Sequence, residues 1–296
     1  MTQSKQTTRF ALLFLLYFIV ASFALSMAAL LQQLPYHAYL SLAQLVCLLP
    51  PVCLYFLWTK KPLRQTLRLN PLGMKNALLV LAFAVAVQPV MGFLSLITSF
   101  FFPNPVVDAS ADMLDGPYLA AVLSTAILPA VLEELPNRGI LLSGYRYLGK
   151  QKAALVSALF FAFLHMNPQQ FLYTFAVGYC FSILVERTDS LYASILAHFI
   201  INGSTVLALF SGAGEEAAAV EVSSEMLLIA NGALALFSLP IVLLILYLLF
   251  RLNPPKAEIP LLAEDGKPYR EGLLSPAFFA LCVIYVVFGL LPYLIA

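Results

Sequence analysis

Glu133, Glu134 and Arg138, then Phe161 and His165, then His198 and Asn202 stand inside stretches that are otherwise apolar and long enough for helices. Carboxylates, imidazoles and a carboxamide are the groups that activate water, move protons and hold developing negative charge. A charge at the centre of a bilayer costs about 2.5–3.5 kcal/mol even on the lenient insertion scale, so such groups within membrane segments mark a functional site by default. Their spacing assigns them. Glu134 and Arg138 share a helix face at i, i+4 and can pair, whereas Glu133 points about 100° away and stays free for general base work. His198 and Asn202 also share a face at i, i+4 and offer two donors toward one point. Phe161 lies one turn before His165 and can pack beside its imidazole. Asn137, four residues after Glu133, lies on the same face and could hydrogen-bond that carboxylate or a substrate.

The elements that carry these residues are membrane helices. The 296-residue chain is 61% hydrophobic and 10% charged, against about 25% charged in soluble domains. An all-α, polytopic membrane bundle of eight or nine transmembrane helices follows. At about 20 apolar residues per span, the candidates are 10–31, 37–58, 76–102, 118–146, 152–166, 170–186, 190–210, 226–250 and 274–296. The fifth and sixth are short. Residues 10–31 are too long for a signal-peptide core and lack a cleavage site, so they read as the first span.

Charge placement supports this count. Alternate connections receive Lys60, Lys61, Arg64, Arg68 and Lys75, then Arg146, Lys150 and Lys152, then Arg187, then Arg251, Lys256, Lys267 and Arg270. The opposite connections hold Asp108, Asp112 and Asp115, then Glu215, Glu216, Glu221 and Glu225, without Lys or Arg. By the positive-inside rule the chain is a multi-pass protein of the plasma membrane with a cytoplasmic N-terminus. The whole of 1–296 reads as a single integral membrane domain, with the polar residues in a core region over 117–204. Glu133 and His165 are each 13 residues from a basic helix end, roughly 20 Å at 1.5 Å per residue. His198 is 9 residues from Asp189, roughly 14 Å. The three thus share one depth, and the basic residues bordering them lead to the expectation of substrate access from the cytoplasmic side.

Other residues read as structural. Cys47, Cys53, Cys180 and Cys282 have no C-x-x-C pairing and read as packed thiols. His37 reads as an interface residue, Glu186, Arg187 and Asp189 as a solvated turn, and Gly178 as a close helix contact. Pro50, Pro51, Pro89 and Pro240 read as kinks, and Pro136 should kink the helix beside Glu133.

In this order on successive helices, E-E-x-x-x-R, F-x-x-x-H and H-x-x-x-N resemble the motifs of the CAAX protease and bacteriocin-processing family, also called Abi or CPBP. That family of intramembrane peptidases includes the Ras-converting CAAX endopeptidase. Gly139 after the Arg and the Thr188-Asp189-Ser190 turn add to the likeness; Pro136-Asn137 departs from the apolar or aromatic pair usual there. The resemblance implies an intramembrane endopeptidase acting on a peptide or membrane-associated protein. It implies that Glu133 with His165 activates the attacking water, that His198 with Asn202 stabilises the oxyanion, and that Glu134 and Arg138 hold the site together. No cofactor is expected. The alternative is zinc on Glu133, His165 and His198, but the H-E-x-x-H helix that usually supplies such ligands is absent. No G-x-S-G element and no intramembrane pair of aspartates points to another protease class. A non-catalytic scaffold or bacteriocin-immunity protein of the same fold is the alternative reading. A proton-coupled transporter fits less, for want of two related halves with broken helices. The bilayer and a polypeptide substrate are the expected partners; nothing indicates nucleic acid.

Overall fold

The computed structural model describes residues 3–32, 34–104, 109–212, 223–254 and 276–295, which include no strand. Asp108, Glu215, Glu216, Glu221, Lys256, Lys267 and Arg270 lie outside the described residues. Nine long helices run through the rest: α1 (Gln3–Gln32), α2 (Tyr36–Thr59), α3 (Met74–Ser99), α4 (Tyr118–Gly144), α5 (Lys150–Leu164), α6 (Pro168–Thr188), α7 (Leu191–Phe210), α8 (Ser224–Leu252) and α9 (Pro276–Ile295).

Seven of these, all but α5 and α6, are long and apolar enough to cross a membrane. The chain is therefore a multi-pass membrane protein. The 15 residues of α5 reach only about 22 Å. Most of α5 is buried, so protein rather than lipid surrounds it, and the length a bilayer would impose does not apply. On the outer helices, large apolar side chains such as Leu57, Ile229 and Phe237 are exposed, as a lipid-facing surface requires.

α4 is the axis of the bundle. It contacts α2, α5 and α7, while α8 packs on α3 and α9 along α1. It is not a regular helix. Val122–Ile127 and Leu135–Leu141 are π-helical, and Glu133 sits between the second of these and the α-helical turn Leu128–Leu132. Pro136 occupies the first turn of the second π segment, so the discontinuity expected from proline takes the form of a widened turn. Side chains add donors to carbonyls within and between these π segments. Gln44 donates to the Ser124 carbonyl at 2.6 Å, Asn137 Nδ2 to the Glu133 carbonyl at 2.6 Å, and Ser157 to the Asn137 carbonyl at 2.8 Å.

Several residues read as structural behave otherwise than expected. His37 is buried, with Nε2 on the Met113 carbonyl at 3.0 Å and Nδ1 on Ser124 Oγ at 2.9 Å. It braces the start of α2 against α4 instead of lying at the interface. Glu186 is no part of a solvated turn either: its buried carboxylate takes Arg68 at 2.6 Å and Arg146 at 3.2 Å. Arg187 lies over the Phe250 ring at 4.0 Å. Asp189 ends α6 in the left-handed region at φ 53°. All four cysteines are free, and Cys53 is exposed on α2 rather than packed.

Candidate active site

The motif residues of α4, α5 and α7 meet. Glu133, Phe161, His165, His198 and Asn202 line one cavity of about 510 Å³. Glu134 and Arg138 lie behind it, fully buried, with the guanidinium Nη1 donating to Glu134 Oε1 at 3.0 Å. The pairing expected from the i, i+4 spacing is thus present, and Glu133 faces the cavity alone.

The long-range contacts add what spacing does not contain. His198 Nδ1 lies 2.9 Å from the same Glu134 oxygen that Arg138 contacts. A carboxylate held by a guanidinium is an acceptor, so Nδ1 carries the proton and Nε2 is left toward the cavity. Arg138 Nη2 donates to the Gly178 carbonyl at 3.0 Å, and its guanidinium carbon lies over the Phe161 ring, 4.3 Å from the centroid. A Cβ on Gly178 would stand 3.0 Å from both Arg138 Nη2 and the Phe161 ring, so the close contact expected there is real.

His165 caps the C-terminus of α5, Met166 follows at φ 46°, and Asn167 starts α6 by accepting from the Gln169 N–H at 2.8 Å. This tight turn fixes the imidazole. Its Nδ1 lies 2.8 Å from the Phe161 carbonyl; a carbonyl only accepts, so the neutral ring presents an unprotonated Nε2. The Phe161 ring stands edge-on to both imidazoles, 4.9 Å from His165 and 5.9 Å from His198. Phe181 packs against His198 at 5.6 Å.

Asn202 Nδ2 donates to the Thr125 carbonyl in the first π segment at 3.0 Å, which spends one of the two amide protons and leaves the other. Asn137 does not join the cavity. It is fully buried, and its amide serves the Glu133 carbonyl rather than the Glu133 carboxylate or a substrate.

The sequence reading of α6 took in Gly178, Glu186 and Arg187 but not the face that lines the cavity. Gln170, Tyr173, Thr174, Val177 and Phe181 form one wall, at the i, i+3, i+4, i+7 spacing of a single helix face. That stripe was the available signal, but it holds no charged residue and drew no notice beside the motifs.

The access side also differs from expectation. The lining residues of α3, Gln88 to Ser95, fall in the half of the helix away from Lys75, and those of α5, Phe161 and His165, fall at the end away from Lys150. Tyr36 opens α2 and Thr205 lies late in α7, while Asn104, Ala109 and Met113 extend the cavity toward the connection that bears Asp112 and Asp115. The cavity thus faces away from the basic loops, not toward them.

Among the described residues no group of three or more His, Cys, Asp or Glu is placed to hold a metal ion. Glu133, His165 and His198 share the cavity without forming a ligand trio.

No curated protein and no solved structure matches the chain. Residues 115–204 match a family model described as Rce1-like, type II CAAX prenyl endopeptidase Rce1-like. The match spans α4 to the middle of α7 and contains every motif residue named above. The segment of this multi-pass membrane protein that supplies the motif residues of the cavity is thus similar to the Rce1-like family of CAAX prenyl endopeptidases, while Tyr36, Gln88, Gly92 and Met113 complete the lining from outside the match.

Proposed function

We propose that the chain is an intramembrane endopeptidase of glutamate type, hydrolysing a peptide bond of a peptide or membrane-associated protein with a water activated by Glu133 and His165. The observation that carries this reading is the convergence of Glu133, His165, His198 and Asn202 on one cavity.

A water between the Glu133 carboxylate and His165 Nε2 finds an acceptor for each of its protons, which turns a lone pair toward a substrate carbonyl. Glu133 takes the proton as the carbon–oxygen bond forms and passes it to the departing amine. The oxyanion is met by the second Asn202 amide proton and by His198. Because Nδ1 of His198 already donates to Glu134, an Nε2–H toward the oxyanion requires the doubly protonated ring. Glu134 therefore positions His198 as well as pairing with Arg138. Donors held in place in this way are worth about 2.7–4 kcal/mol each to a transition state.

The reaction is proposed to need no metal. Purified protein should contain no stoichiometric zinc, and chelators should leave cleavage unchanged. Zinc lost together with activity in His165→Ala or His198→Ala would make these residues ligands through the Nε2 atoms that face the cavity. The main test compares, by mass spectrometry, membrane and released peptides from cells carrying the native chain or Glu133→Gln. A peptide that depends on Glu133 supports the reading and identifies the cleavage site. If no peptide changes while the variant folds normally, the chain is a scaffold of the same fold. A cytoplasmic N-terminus and a plasma-membrane location are part of this proposal, on the strength of the one-sided basic loops.

A further inference from the structure

We propose, building on the peptidase reading, that the substrate enters from the face opposite the basic loops, and that the segment around the scissile bond is neutral or cationic, with no terminal carboxylate near the cut.

The side follows from where the cavity ends. The lining residues of α3 and α5 fall in the halves remote from Lys75 and Lys150, Tyr36 opens α2 and Thr205 lies late in α7, and from Glu133 and His198 near mid-helix the lining continues to Asn104, Ala109 and Met113 toward the other face. The opposite direction is closed. Glu134, Asn137, Arg138, Ser182 and Ser194 have no exposed surface, and Ile140, Leu141 and Leu142 beyond them are sealed as well. This floor lies between the cavity and Arg146 and Lys150. With the basic loops cytoplasmic, the open face is extracytoplasmic.

The substrate's charge follows from the lining. Among the described residues, Glu133 is the acidic group there and no Lys or Arg is present. The nearest guanidinium, Arg138, stands behind Phe161 and is committed to Glu134 and the Gly178 carbonyl. Asp112 and Asp115 are exposed on either side of the buried Met113, whose neighbour Ala109 also lines the cavity. A chain terminus three residues from the cut would bring its carboxylate within about 10 Å of Glu133. It would find like charge and no partner. A positively charged or neutral segment meets no such opposition.

The test uses thiol chemistry and no substrate. A Cβ at Gly92 meets nothing within 4 Å, and Thr205 is exposed; both line the cavity. Gly92→Cys and Thr205→Cys are made singly, with Asp115→Cys and Lys152→Cys marking the two faces and the unsubstituted chain controlling for its own cysteines. Sealed vesicles of either orientation receive a membrane-impermeant methanethiosulfonate bearing a trimethylammonium or a sulfonate group, with each rate taken relative to a free thiol. Both cavity positions should react in the orientation that exposes Asp115→Cys. They should react several-fold faster with the cation than with the anion, and Glu133→Gln should reduce that preference. Reaction in the orientation of Lys152→Cys, reaction in neither, or equal rates for the two charges would overturn the proposal. Labelling does not depend on turnover, so failure of the peptidase reading would show separately, as an absence of Glu133-dependent cleavage.

Discussion

Glu133 and Glu134 are adjacent in sequence and differ in everything around them. Glu134 has no exposed surface and takes two charged or polar donors on one oxygen, whereas Glu133 borders the cavity. Removing the Glu134 carboxylate strands a buried guanidinium, a change that costs about 3–5 kcal/mol. Glu134→Ala should therefore lower thermal stability in detergent and also release His198. Glu133→Gln should unfold at the native temperature and lose cleavage. Equal losses of stability in both variants would contradict this division. The Glu134–Arg138 half of the arrangement was legible in the sequence because both residues lie on one helix turn. The His198 half was not, since 64 residues separate it from Glu134 and helical periodicity has no bearing across that interval.

α4 shows how an element can be both strained in form and satisfied in bonding. Its two π segments flank the turn that carries Glu133; side chains of α2, α5 and α7 donate to carbonyls of those segments, and the Asn137 side chain of α4 itself donates to the Glu133 carbonyl between them. Pro136-Asn137, the departure from the usual motif, is intelligible as a unit: the proline opens the second π segment and the Asn137 amide caps the Glu133 carbonyl beside it. The sequence announced the proline's effect but not its geometry, because a kink and a π turn both answer a missing N–H. It placed Asn137 on the right face and gave it the wrong acceptor. Ser157→Ala removes one of the two donors on the buried Asn137 carbonyl, which keeps the Leu142 N–H, a loss of about 0.5–1.5 kcal/mol. Its unfolding transition should fall accordingly, and cleavage should fall less than in Asn202→Ala, which removes an oxyanion donor as well as the Thr125 contact. A Ser157→Ala protein as stable as the native chain would show that the π segment does not depend on this bond.

At the scale of the whole molecule, the two faces divide the work. The helical bundle and the common depth of Glu133, His165 and His198 were legible from apolar runs and residue counting. The open side was not: Glu133 is 13 residues from Arg146 and 15 from Tyr118, and a count nearly symmetric about the site cannot say which half is filled. The basic face is filled, and Arg68, Glu186 and Arg146 tie it together. These three come from separate connections and helix ends, which is why Glu186 looked like a turn residue in the sequence. Burial pushes the Arg68 guanidinium's pKa down, and Glu186 beside it works in the other direction. Arg68 also fixes the backbone, since its carbonyl accepts from Leu191 N–H at 3.0 Å at the start of α7. Glu186→Gln should therefore leave a buried cation uncompensated and destabilise the fold by about 3–5 kcal/mol. Because the floor of buried residues separates this triad from the cavity, the molecules that remain folded should cleave with unchanged kcat and KM. Unfolding monitored in detergent, with kinetics measured on the monodisperse fraction, separates the two effects. A Glu186→Gln protein of native stability with altered turnover would mean that the basic face communicates with the site.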